Sequence, residues 1–554
     1  MSSEKMKKLN VVGLLLQMAL LSACGGGGGS TTTSDQVQTG HFSDSPVSGL
    51  SYTTATQSGI TDSNGAFFFK EGEKIEFSVG DITLGDSVDA HATMTPQDLA
   101  PGATLPLTIA DATNILQKPG SRQQDAFNKM TNILLFLQTL DEDANADNGI
   151  VITPVIADLF TGVEIDFDRS FEKFQFSNPA LKGVTYQAEN MGLIASGEIV
   201  SAGKALQHFY ASQGINDKFV ARGTISDDND ANGTPDRITS YVYDDAGNRI
   251  QLSVDDDGDG IADRIFLTSY DSNGHQTSSS RDDNGDTIID SVKTTSYGAH
   301  GNKSSTSRDN NGDGLVDDFT TFTYDAQGNL ISSSQDSDSN GSIDIIRSKT
   351  FDANGNILTS SEDTNADGTP DSISTRSFDI ENHLITRSVD NNADGSPDFI
   401  STNTYDSAGN LTRRSDDTNG DGTANKTTTY SYDANGNQTQ RSDDSNADGI
   451  ADEITSYDFD ANGNLTQINR DKDADGTADD ITTFSYDADG NRVTESRDRD
   501  VDGTADDTAT TTFDADGNRL TTSEDNGADG IIDSIRTFTY VPGNWITVIK
   551  EASL

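Results

Sequence analysis

A fixed 27-residue period runs through the C-terminal part of this 554-residue chain and constrains its fold more than any other feature. Each unit opens with an aspartate, and the twelve opening aspartates, from Asp228 to Asp525, are all 27 residues apart. The period is unbroken until the last unit, which is one residue short before Gly543. Because a constant period makes every unit the same structural step, each unit should stack on its neighbour.

Every unit contains two short segments rich in β-forming residues, separated by two turn sequences. Residues 481–486 and 249–253 represent the two segments. The pattern predicts a mainly β fold. We expect a long repeat array of two-stranded units, an antiparallel meander or superhelical sheet, over residues 228–551, preceded by a small mixed α/β region. A six-bladed β-propeller with two units per blade would use the same period.

The first turn sequence of each unit is Asp-x-[Asp/Asn]-x-[Asp/Asn]-Gly-x-x-Asp. Alternate oxygen-bearing side chains on a tight loop can converge on one hard cation, and Ca²⁺ takes six to eight oxygen ligands. Glycine at the sixth position permits the sharp turn. The sequence therefore predicts Ca²⁺ as the cofactor of the array. The alternative is a set of acidic turns on a salt-adapted surface.

The predicted metal ligands occupy the same four loop positions in each unit. At the first position they are Asp228, Asp255, Asp282, Asp309, Asp336, Asp363, Asp390, Asp417, Asp444, Asp471, Asp498 and Asp525. At the third they are Asp230, Asp257, Asn284, Asn311, Asp338, Asn365, Asn392, Asn419, Asn446, Asp473 and Asp500. At the fifth they are Asn232, Asp259, Asp286, Asp313, Asn340, Asp367, Asp394, Asp421, Asp448, Asp475, Asp502 and Asp529. At the ninth they are Asp236, Asp263, Asp290, Asp317, Asp344, Asp371, Asp398, Asn425, Asp452, Asp479, Asp506 and Asp533. Thr287 replaces the turn glycine in unit three, and Gly527 removes the third ligand in unit twelve.

The loops differ from EF-hands because position twelve is never glutamate. They resemble the calcium loops of thrombospondin type 3 repeats and of integrin-like propellers. This resemblance implies that the ninth position is a ligand.

The second turn sequence is represented by Tyr243-Asp244-Asp-Ala-Gly247-Asn248. Its aromatic residue is present in all twelve units, as Tyr in eight and Phe in four. The signature resembles the Tyr-Asp repeats of RHS-type bacterial surface proteins, which implies β-hairpins joined into one long curved sheet. Unit six departs from it with Asn382-His383 in place of Gly-Asn, and unit two with His275 in place of Asn.

Charge is concentrated in the array. The chain has a formal net charge of −54, and residues 228–554 hold 65 of its 91 acidic but only 23 of its 37 basic residues. This balance argues against nucleic acid as a partner, because phosphate binding needs clustered Lys and Arg. Twelve Ca²⁺ ions would cancel more than half of the array's charge, so we expect metal binding and folding to be coupled.

The N-terminal 24 residues have the pattern of a secretion signal. Basic residues precede an apolar segment over residues 9–21, which ends in Leu21-Ser22-Ala23-Cys24. This ending resembles the bacterial lipoprotein cleavage box, which implies lipidation of Cys24 and attachment to a membrane. Since Gly25 is not aspartate, the resemblance implies an outer-membrane lipoprotein of a Gram-negative bacterium, on the periplasmic or the exterior face. The alternative is an ordinary signal peptide with a chance cysteine. Residues 25–40 are predicted to be a flexible Gly/Ser/Thr tether.

Residues 41–220 are predicted to combine strands and helices. Residues 41–110 contain strand-like segments around a predicted hairpin turn at 62–65, and they resemble carboxypeptidase-regulatory-like β-sandwiches, which implies a spacer. Residues 111–220 are predicted to be helical or mixed, with helices at 125–140 and 201–213. Loop 141–149 is either a further calcium loop or a solvated turn.

No catalytic constellation is evident, because the sequence has neither a His-Glu-x-x-His motif nor a Gly-x-Ser-x-Gly elbow. We therefore expect a protein that is not an enzyme, although an enzyme within 111–220 stays open. The leading hypothesis is a structural or adhesive surface stalk that is anchored through Cys24 and ordered by Ca²⁺. The alternatives are a Ca²⁺-dependent module that binds polysaccharide or a surface protein, and an RHS-like carrier shell.

Overall fold

The computed structural model describes residues 36–116, 122–176, 178–298 and 300–552. Cys24 and the predicted signal lie outside the described residues. The predicted tether 25–40 ends too late, because residues 37–40 already belong to the first strand and pair with residues 67–70.

Nine short strands open the described chain, and eight of them form two sheets. Their bounds are β1 Val37–Phe42, β2 Val47–Ser48, β3 Ser51–Thr54, β4 Ser58–Ile60, β5 Ala66–Lys70, β6 Lys74–Val79, β7 Ile82–Thr83, β8 Val88–Asp89 and β9 Thr93–Met94. One sheet has the order β5-β1-β9, and the other has the order β4-β3-β6-β7 with β8 paired to β6. The predicted hairpin at 62–65 is wrong, since this turn joins β4 and β5, which lie in different sheets.

Six α-helices follow among the described residues, and a seventh lies at the C-terminal end of the described chain. Their bounds are α1 Ile109–Leu116, α2 Arg122–Thr139, α3 Pro154–Asp158, α4 Phe171–Phe176, α5 Pro179–Asn190, α6 Ala202–Ser212 and α7 Trp545–Ala552. Strand β10 (Ile150–Val151) pairs with β2 in parallel. Helix α2 is buried along most of its length. Helix α6 begins after Ser201, whose hydroxyl accepts the N–H of Lys204 as an N-cap.

One continuous apolar core, the N-terminal core, joins the early strands and the helices. The last helix completes this core, since Trp545 is 1% exposed. Its ring centroid lies 4.7 Å from that of Phe219, 5.4 Å from that of Tyr210 and 5.8 Å from that of Phe127. The predicted repeat boundary at residue 551 is therefore wrong: the chain leaves the repeat pattern before α7 and returns to the N-terminal core.

Twenty-four strands make up the remaining sheet. Their bounds are β11 Val220–Asp228, β12 Arg237–Tyr243, β13 Arg249–Asp255, β14 Arg264–Tyr270, β15 Gln276–Asp282, β16 Ser291–Tyr297, β17 Lys303–Asp309, β18 Asp318–Tyr324, β19 Leu330–Asp336, β20 Ile345–Phe351, β21 Ile357–Asp363, β22 Ser372–Phe378, β23 Leu384–Asp390, β24 Phe399–Tyr405, β25 Leu411–Asp417, β26 Lys426–Tyr432, β27 Gln438–Asp444, β28 Glu453–Phe459, β29 Leu465–Asp471, β30 Asp480–Tyr486, β31 Arg492–Asp498, β32 Asp507–Phe513, β33 Arg519–Asn526 and β34 Ser534–Pro542.

These strands form one closed antiparallel ring, in which each strand pairs with the next. Strand β34 pairs with β11 from Val220↔Pro542 to Asp228↔Ile535, so the strand ahead of the first loop completes the last unit. The predicted mainly β array of two-stranded units is confirmed. The propeller alternative is wrong, because the strands form a single sheet rather than separate blades.

A β-bulge lies beside the signature aromatic residue in each hairpin from β12–β13 to β32–β33. Bulges increase local twist and bend the sheet, which favours closure. The 24 strands, at a spacing of about 4.8 Å, give a perimeter of about 115 Å, and a circle of that perimeter has a diameter of about 35 Å.

The up-and-down path gives the ring two different rims. The twelve acidic loops lie on one rim, here called the acidic rim, and the Tyr-Asp turns lie on the other, the turn rim. The N-terminal core contacts the turn rim: the Tyr186 and His300 rings stack 4.2 Å apart, and Lys550 donates to the Asn248 side chain at 2.6 Å. Lys218 forms an ion pair with Asp516, on the eleventh unit.

We expect Trp545→Ala to destabilise the protein by about 3–5 kcal/mol, because it removes a large, fully packed ring from the N-terminal core. Denaturant unfolding followed by circular dichroism measures the change, since the chain has one tryptophan. Ile380→Ala is the control: this side chain is 93% exposed, and its loss should change stability by less than about 0.5 kcal/mol. Equal stability of the two variants would contradict the packing role of α7.

Candidate metal-binding rim

The first aspartate of every acidic loop is held by the backbone of its own loop. Its Oδ2 accepts the N–H of the sixth residue in all twelve units, at 2.7–3.0 Å. In unit two the donor is Gly260 and the acceptor is Asp255, which is 6% exposed. This bond folds the loop over the aspartate and fixes one carboxylate oxygen.

The other predicted ligands also accept backbone hydrogen bonds. The ninth residue accepts the N–H of the second in all twelve units, at 2.6–2.8 Å. The fifth residue accepts the N–H of the seventh in every unit. These Asx-type bonds satisfy loop N–H groups that have no strand partner.

The loop backbone is left-handed at two positions. The sixth residue has positive φ in every unit, +89° at Gly260 for example, and even at Thr287, which has φ +71°. The fourth residue also has positive φ throughout, although it is Ala in six units, Gly in four, Ser in one and Val501 in another. The fourth position was not predicted; its bias toward Gly and Ala was the available signal.

Neighbouring loops touch where the fourth residue is glycine. A Cβ on Gly258, Gly285 or Gly312 would lie 2.0 Å from a backbone oxygen of the preceding loop, and one on Gly420 would lie 1.7 Å from such an oxygen. Because these atoms are backbone, the contact leaves no room for a side chain. The loops of units one to four therefore form a continuous stacked row along the rim.

Several loops bring carboxylates close enough to share one cation. In each of the following triads, the ligand atoms all lie within 4.8 Å of one another: Asp228, Asp230 and Asp236; Asp255, Asp257 and Asp259; Asp336, Asp338 and Asp344; Asp471, Asp473 and Asp479. Ca²⁺ binds oxygen at about 2.3–2.6 Å, so two ligands of one ion lie at most about 5 Å apart. In unit eleven, Oδ1 of Asp498 is buried without a hydrogen-bond partner among the described residues.

The departures from the loop pattern have different consequences. Asn425 replaces aspartate at the ninth position of unit eight and still accepts the Thr418 N–H at 2.7 Å. Gly527 offers no side-chain oxygen, and its N–H bonds the carbonyl of Asp506 at 2.6 Å instead. Unit twelve thus shows that the loop closes without a third-position side chain.

Loop 141–149 shares part of this geometry. Ala144 has φ +56°, and the N–H of Asn145 bonds the carboxylates of Asp141 and Asp143, as at the same positions of the first repeat loop. Burial raises the pKa of Asp141 to about 6, against the lowering effect of hydrogen bonds such as that from Val151. Its calcium-binding role stays a prediction.

Hydrogen bonds control the pKa values of the rim carboxylates. Desolvation raises the pKa of Asp255, but the N–H groups of Gly260 and Gly258 outweigh it, so the pKa lies below the ordinary value. The hydroxyl and N–H of Thr477 lower the pKa of Asp475. These groups stay ionised well into acid, which suits a cation site.

The Tyr-Asp turns are built by a second aspartate clamp. In unit nine the Asp460 carboxylate accepts both the backbone N–H and the side-chain amide of Asn464, at 2.8 and 3.0 Å. In unit six His383 takes the place of asparagine, its Nδ1 lying 2.9 Å from Asp379. Asp379, Glu381 and His383 also have ligand atoms within 4.8 Å of one another.

Several signature tyrosines link successive units. The Tyr432 hydroxyl donates to the Leu411 carbonyl at 2.9 Å, and Tyr297 and Tyr486 make the corresponding bond 21 residues back, at 2.9 and 2.7 Å. In these units the tyrosine of the Tyr-Asp signature thus links one hairpin to the preceding one through its hydroxyl, which the phenylalanine of four other units lacks. Sequence reasoning found the signature but not this contact.

Comparison with known proteins identifies the repeats. The RHS Repeat family profile matches residues 405–451 and 459–505, which confirms the predicted RHS-type repeat. A comparison with curated protein sequences gave no match. Among the described residues, no helix is both long and apolar enough to cross a membrane.

Solved structures show distant similarity. The crystal structure of TcdB2-TccC3-TEV is 17% identical with a TM-score of 0.32, and the match covers 56% of this chain and 16% of that one. A Tc holotoxin pore of Photorhabdus luminescens with a mutated TccC3 is 18% identical with a TM-score of 0.32, covering 55% and 16%. A porin-like protein from Bacteroides uniformis is 13% identical with a TM-score of 0.20, covering 43% and 90%. The chain thus spans about a sixth of the Tc structures that it matches.

Two substitutions at the fourth loop position should have different effects on the stability of the ring. Gly258→Ala places a Cβ 2.0 Å from the Pro235 oxygen at φ +70°, and should destabilise the ring by about 2–4 kcal/mol. Ala474→Gly removes the backbone strain of a non-glycine residue at φ +54°. It should leave the stability of the ring unchanged or increase it by up to about 1 kcal/mol. Urea denaturation in chelator compares them. Destabilisation by both variants to the same extent would show that the fourth position is not specifically strained.

The lowered pKa values predict acid lability of the ring. Groups such as Asp255 and Asp475 have folded pKa values below their unfolded ones, so their stabilisation is present at neutral pH. It is lost as the pH falls from about 4 through the lower folded values. Urea unfolding in the presence of chelator, followed by far-UV circular dichroism, should have a lower midpoint urea concentration at about pH 3 than at pH 7.

Asp141 gives this experiment an internal contrast. Burial raises its folded pKa to about 6, so the folded state favours the protonated carboxyl. The resulting stabilisation is complete below about pH 4 and is lost as the pH rises through about 6. Trp545 fluorescence reports the folding of the N-terminal core. The urea midpoint measured by this fluorescence should therefore fall less in acid than the midpoint measured by the circular dichroism of the ring. An unchanged ring midpoint at about pH 3 would contradict the role of the rim carboxylates.

Proposed function

We propose that this chain is a calcium-binding, non-enzymatic structural protein of a bacterial envelope, in which a closed ring of RHS-type repeats displays metal loops on its free rim. The observation that carries the proposal is the loop geometry. Each first aspartate has one oxygen tied to the loop, while neighbouring carboxylates, such as those of Asp471, Asp473 and Asp479, offer atoms within 4.8 Å of one another.

Charge supports a cation at these loops. A ring of carboxylates repels itself, and ionised groups that lie a few ångströms apart gain strongly from a divalent ion between them. Extracellular calcium modules typically bind with a dissociation constant of about 10⁻⁴–10⁻³ M. Because the loops already close through backbone hydrogen bonds, calcium should stabilise the ring by binding to its folded state.

The closed ring changes the expected mechanical role. An extended stalk does not fit a sheet whose last strand pairs with its first. The ring instead presents a fixed circle of loops, with the N-terminal core against the opposite rim. Attachment through Cys24 to the outer membrane rests on the signal sequence, and it would place the ring in the envelope as an anchored scaffold.

A second candidate function is an RHS-like shell. Closure of the ring favours it, since a circular ring with a diameter of about 35 Å surrounds a space wide enough for a polypeptide. The N-terminal core supports it further, because core residues contact turns on several units: Tyr186 lies 3.3 Å from the Cβ position of Gly328, and Pro179 lies 3.4 Å from that of Gly355. The core thus lies across part of one opening.

Calorimetric titration of the full chain with CaCl₂ tests the calcium proposal. The double variant Asp257→Ala and Asp473→Ala removes third-position oxygens, and Gly527 shows that such a loop still closes. We expect two fewer sites in this variant, and a melting temperature that rises less with calcium than that of the natural chain.

The matched control is Asp245→Ala with Asp489→Ala, which removes two exposed carboxylates from the turn rim. It should keep the natural stoichiometry. Absence of binding heat, together with the same melting temperature in calcium and in chelator, would refute calcium binding while leaving the ring fold intact.

A further inference from the structure

Three adjacent acidic loops carry exposed aliphatic side chains at the same position. Ile261, Ile288 and Leu315 are the seventh residues of units two, three and four, and they are 68%, 66% and 69% exposed. Val316 follows Leu315 and is 45% exposed. We call the seventh residues of these three loops, with Val316, the apolar arc.

The loop itself gains nothing from these residues. In five units the seventh residue is threonine, and in four of them, as at Thr477, its hydroxyl donates to the fifth residue of the same loop. Isoleucine or leucine forfeits this bond and exposes apolar surface to water. Single exposed aliphatics are common on protein surfaces, but exposed aliphatics at the same position of three adjacent loops indicate an interaction site.

The arc forms one row because its three loops are stacked. The Cβ position of Gly285 lies 2.0 Å from the oxygen of Ala262, the residue after Ile261, and that of Gly312 lies 2.0 Å from the oxygen of Ile289, the residue after Ile288. Two strands separate successive loops, so the aliphatic side chains are spaced roughly 10 Å apart along the rim.

The surroundings of the arc are strongly acidic. The nine-residue loops of units two to four hold twelve aspartates and no lysine or arginine. Within the described part of the chain, two of these aspartates form ion pairs with arginines: Asp256 with Arg264 at 2.7 Å and with Arg237 at 3.2 Å, and Asp283 with Arg281 at 2.5 Å. A calcium ion in each loop would leave the arc negative, so the charge that complements it is positive with or without metal.

We propose that the apolar arc is a docking surface for a basic amphipathic helix of another protein. Seven residues of α-helix rise about 10.5 Å, so one apolar side chain per heptad matches the spacing of the arc. Lysine or arginine on both sides of that row would face the aspartates that flank the aliphatic residues. The inference does not depend on calcium occupancy.

Fluorescence anisotropy of a labelled peptide tests the proposal with the full chain. The probe is a helical, lysine-rich peptide of about 21 residues with one leucine per heptad. We expect saturable binding that weakens about ten-fold or more in the triple variant Ile261→Thr, Ile288→Thr and Leu315→Thr. Threonine is already the seventh residue in five other loops, so the variant should fold with an unchanged melting temperature.

The matched control is Ile450→Thr with Ile531→Thr, which removes exposed seventh-position aliphatics whose neighbouring loops carry threonine at that position. Binding within about two-fold of the natural chain is expected there. Equal loss in both variants, or equal binding by a peptide with its leucines replaced by serine, would reduce the interaction to general charge attraction and overturn the proposal. Self-association of the chain that the triple variant abolishes would also overturn it, by identifying a second copy as the occupant.

Discussion

The hydrogen bond from a backbone N–H to an aspartate carboxylate is the interaction on which the ring depends. Each unit offers little apolar material, and most ring residues are only half-buried. Strand pairing supplies the walls, but both rims need turns that return the chain in register. Aspartate builds these turns on both rims, as Asp255 does with Gly260 and Asp460 does with Asn464. Charge-assisted bonds of this kind are stronger than neutral ones, which explains how a chain so poor in apolar residues is ordered.

Two long-range contacts complete the fold: the pairing that closes the ring and the packing of α7 in the N-terminal core. The C-terminal part of the chain makes both of them. Strand β34 pairs with β11 across more than 300 residues of sequence, and α7 then places Trp545 in the N-terminal core. The seam is therefore held by backbone pairing on one side and by aromatic packing on the other. A ring of identical hairpins has no intrinsic start, so this packing against a unique core defines where the array ends.

The repeat period revealed the local structure of the ring but not its closure. A strict 27-residue interval with aspartates at fixed positions was enough to predict hairpins, turns and the acidic loops. Closure depends on the curvature that each bulged hairpin adds, summed over twelve units, and no single position encodes that sum. The helix at residue 545 was missed for a related reason, since its partners Phe127 and Phe219 lie hundreds of residues away. The left-handed fourth position was readable in principle from residues such as Gly258 and Gly285, because glycine there alternates with alanine.

The two rims use the same aspartate chemistry to different ends. On the turn rim the carboxylates are matched by asparagine or histidine within the turn, and the N-terminal core approaches with aromatic and charged groups such as Tyr186 and Lys550. On the acidic rim most carboxylates at the predicted ligand positions accept backbone N–H bonds. The described arginine ion pairs involve other loop residues, such as Asp256 and Asp283, and leave much of the rim charge without a protein cation. Such a surface is costly through self-repulsion unless something outside the chain neutralises it. The charge of all twelve units, beside aliphatic residues in units two to four, makes the acidic rim the surface on which we place the proposed calcium ions and partner, while the turn rim contacts the rest of the protein.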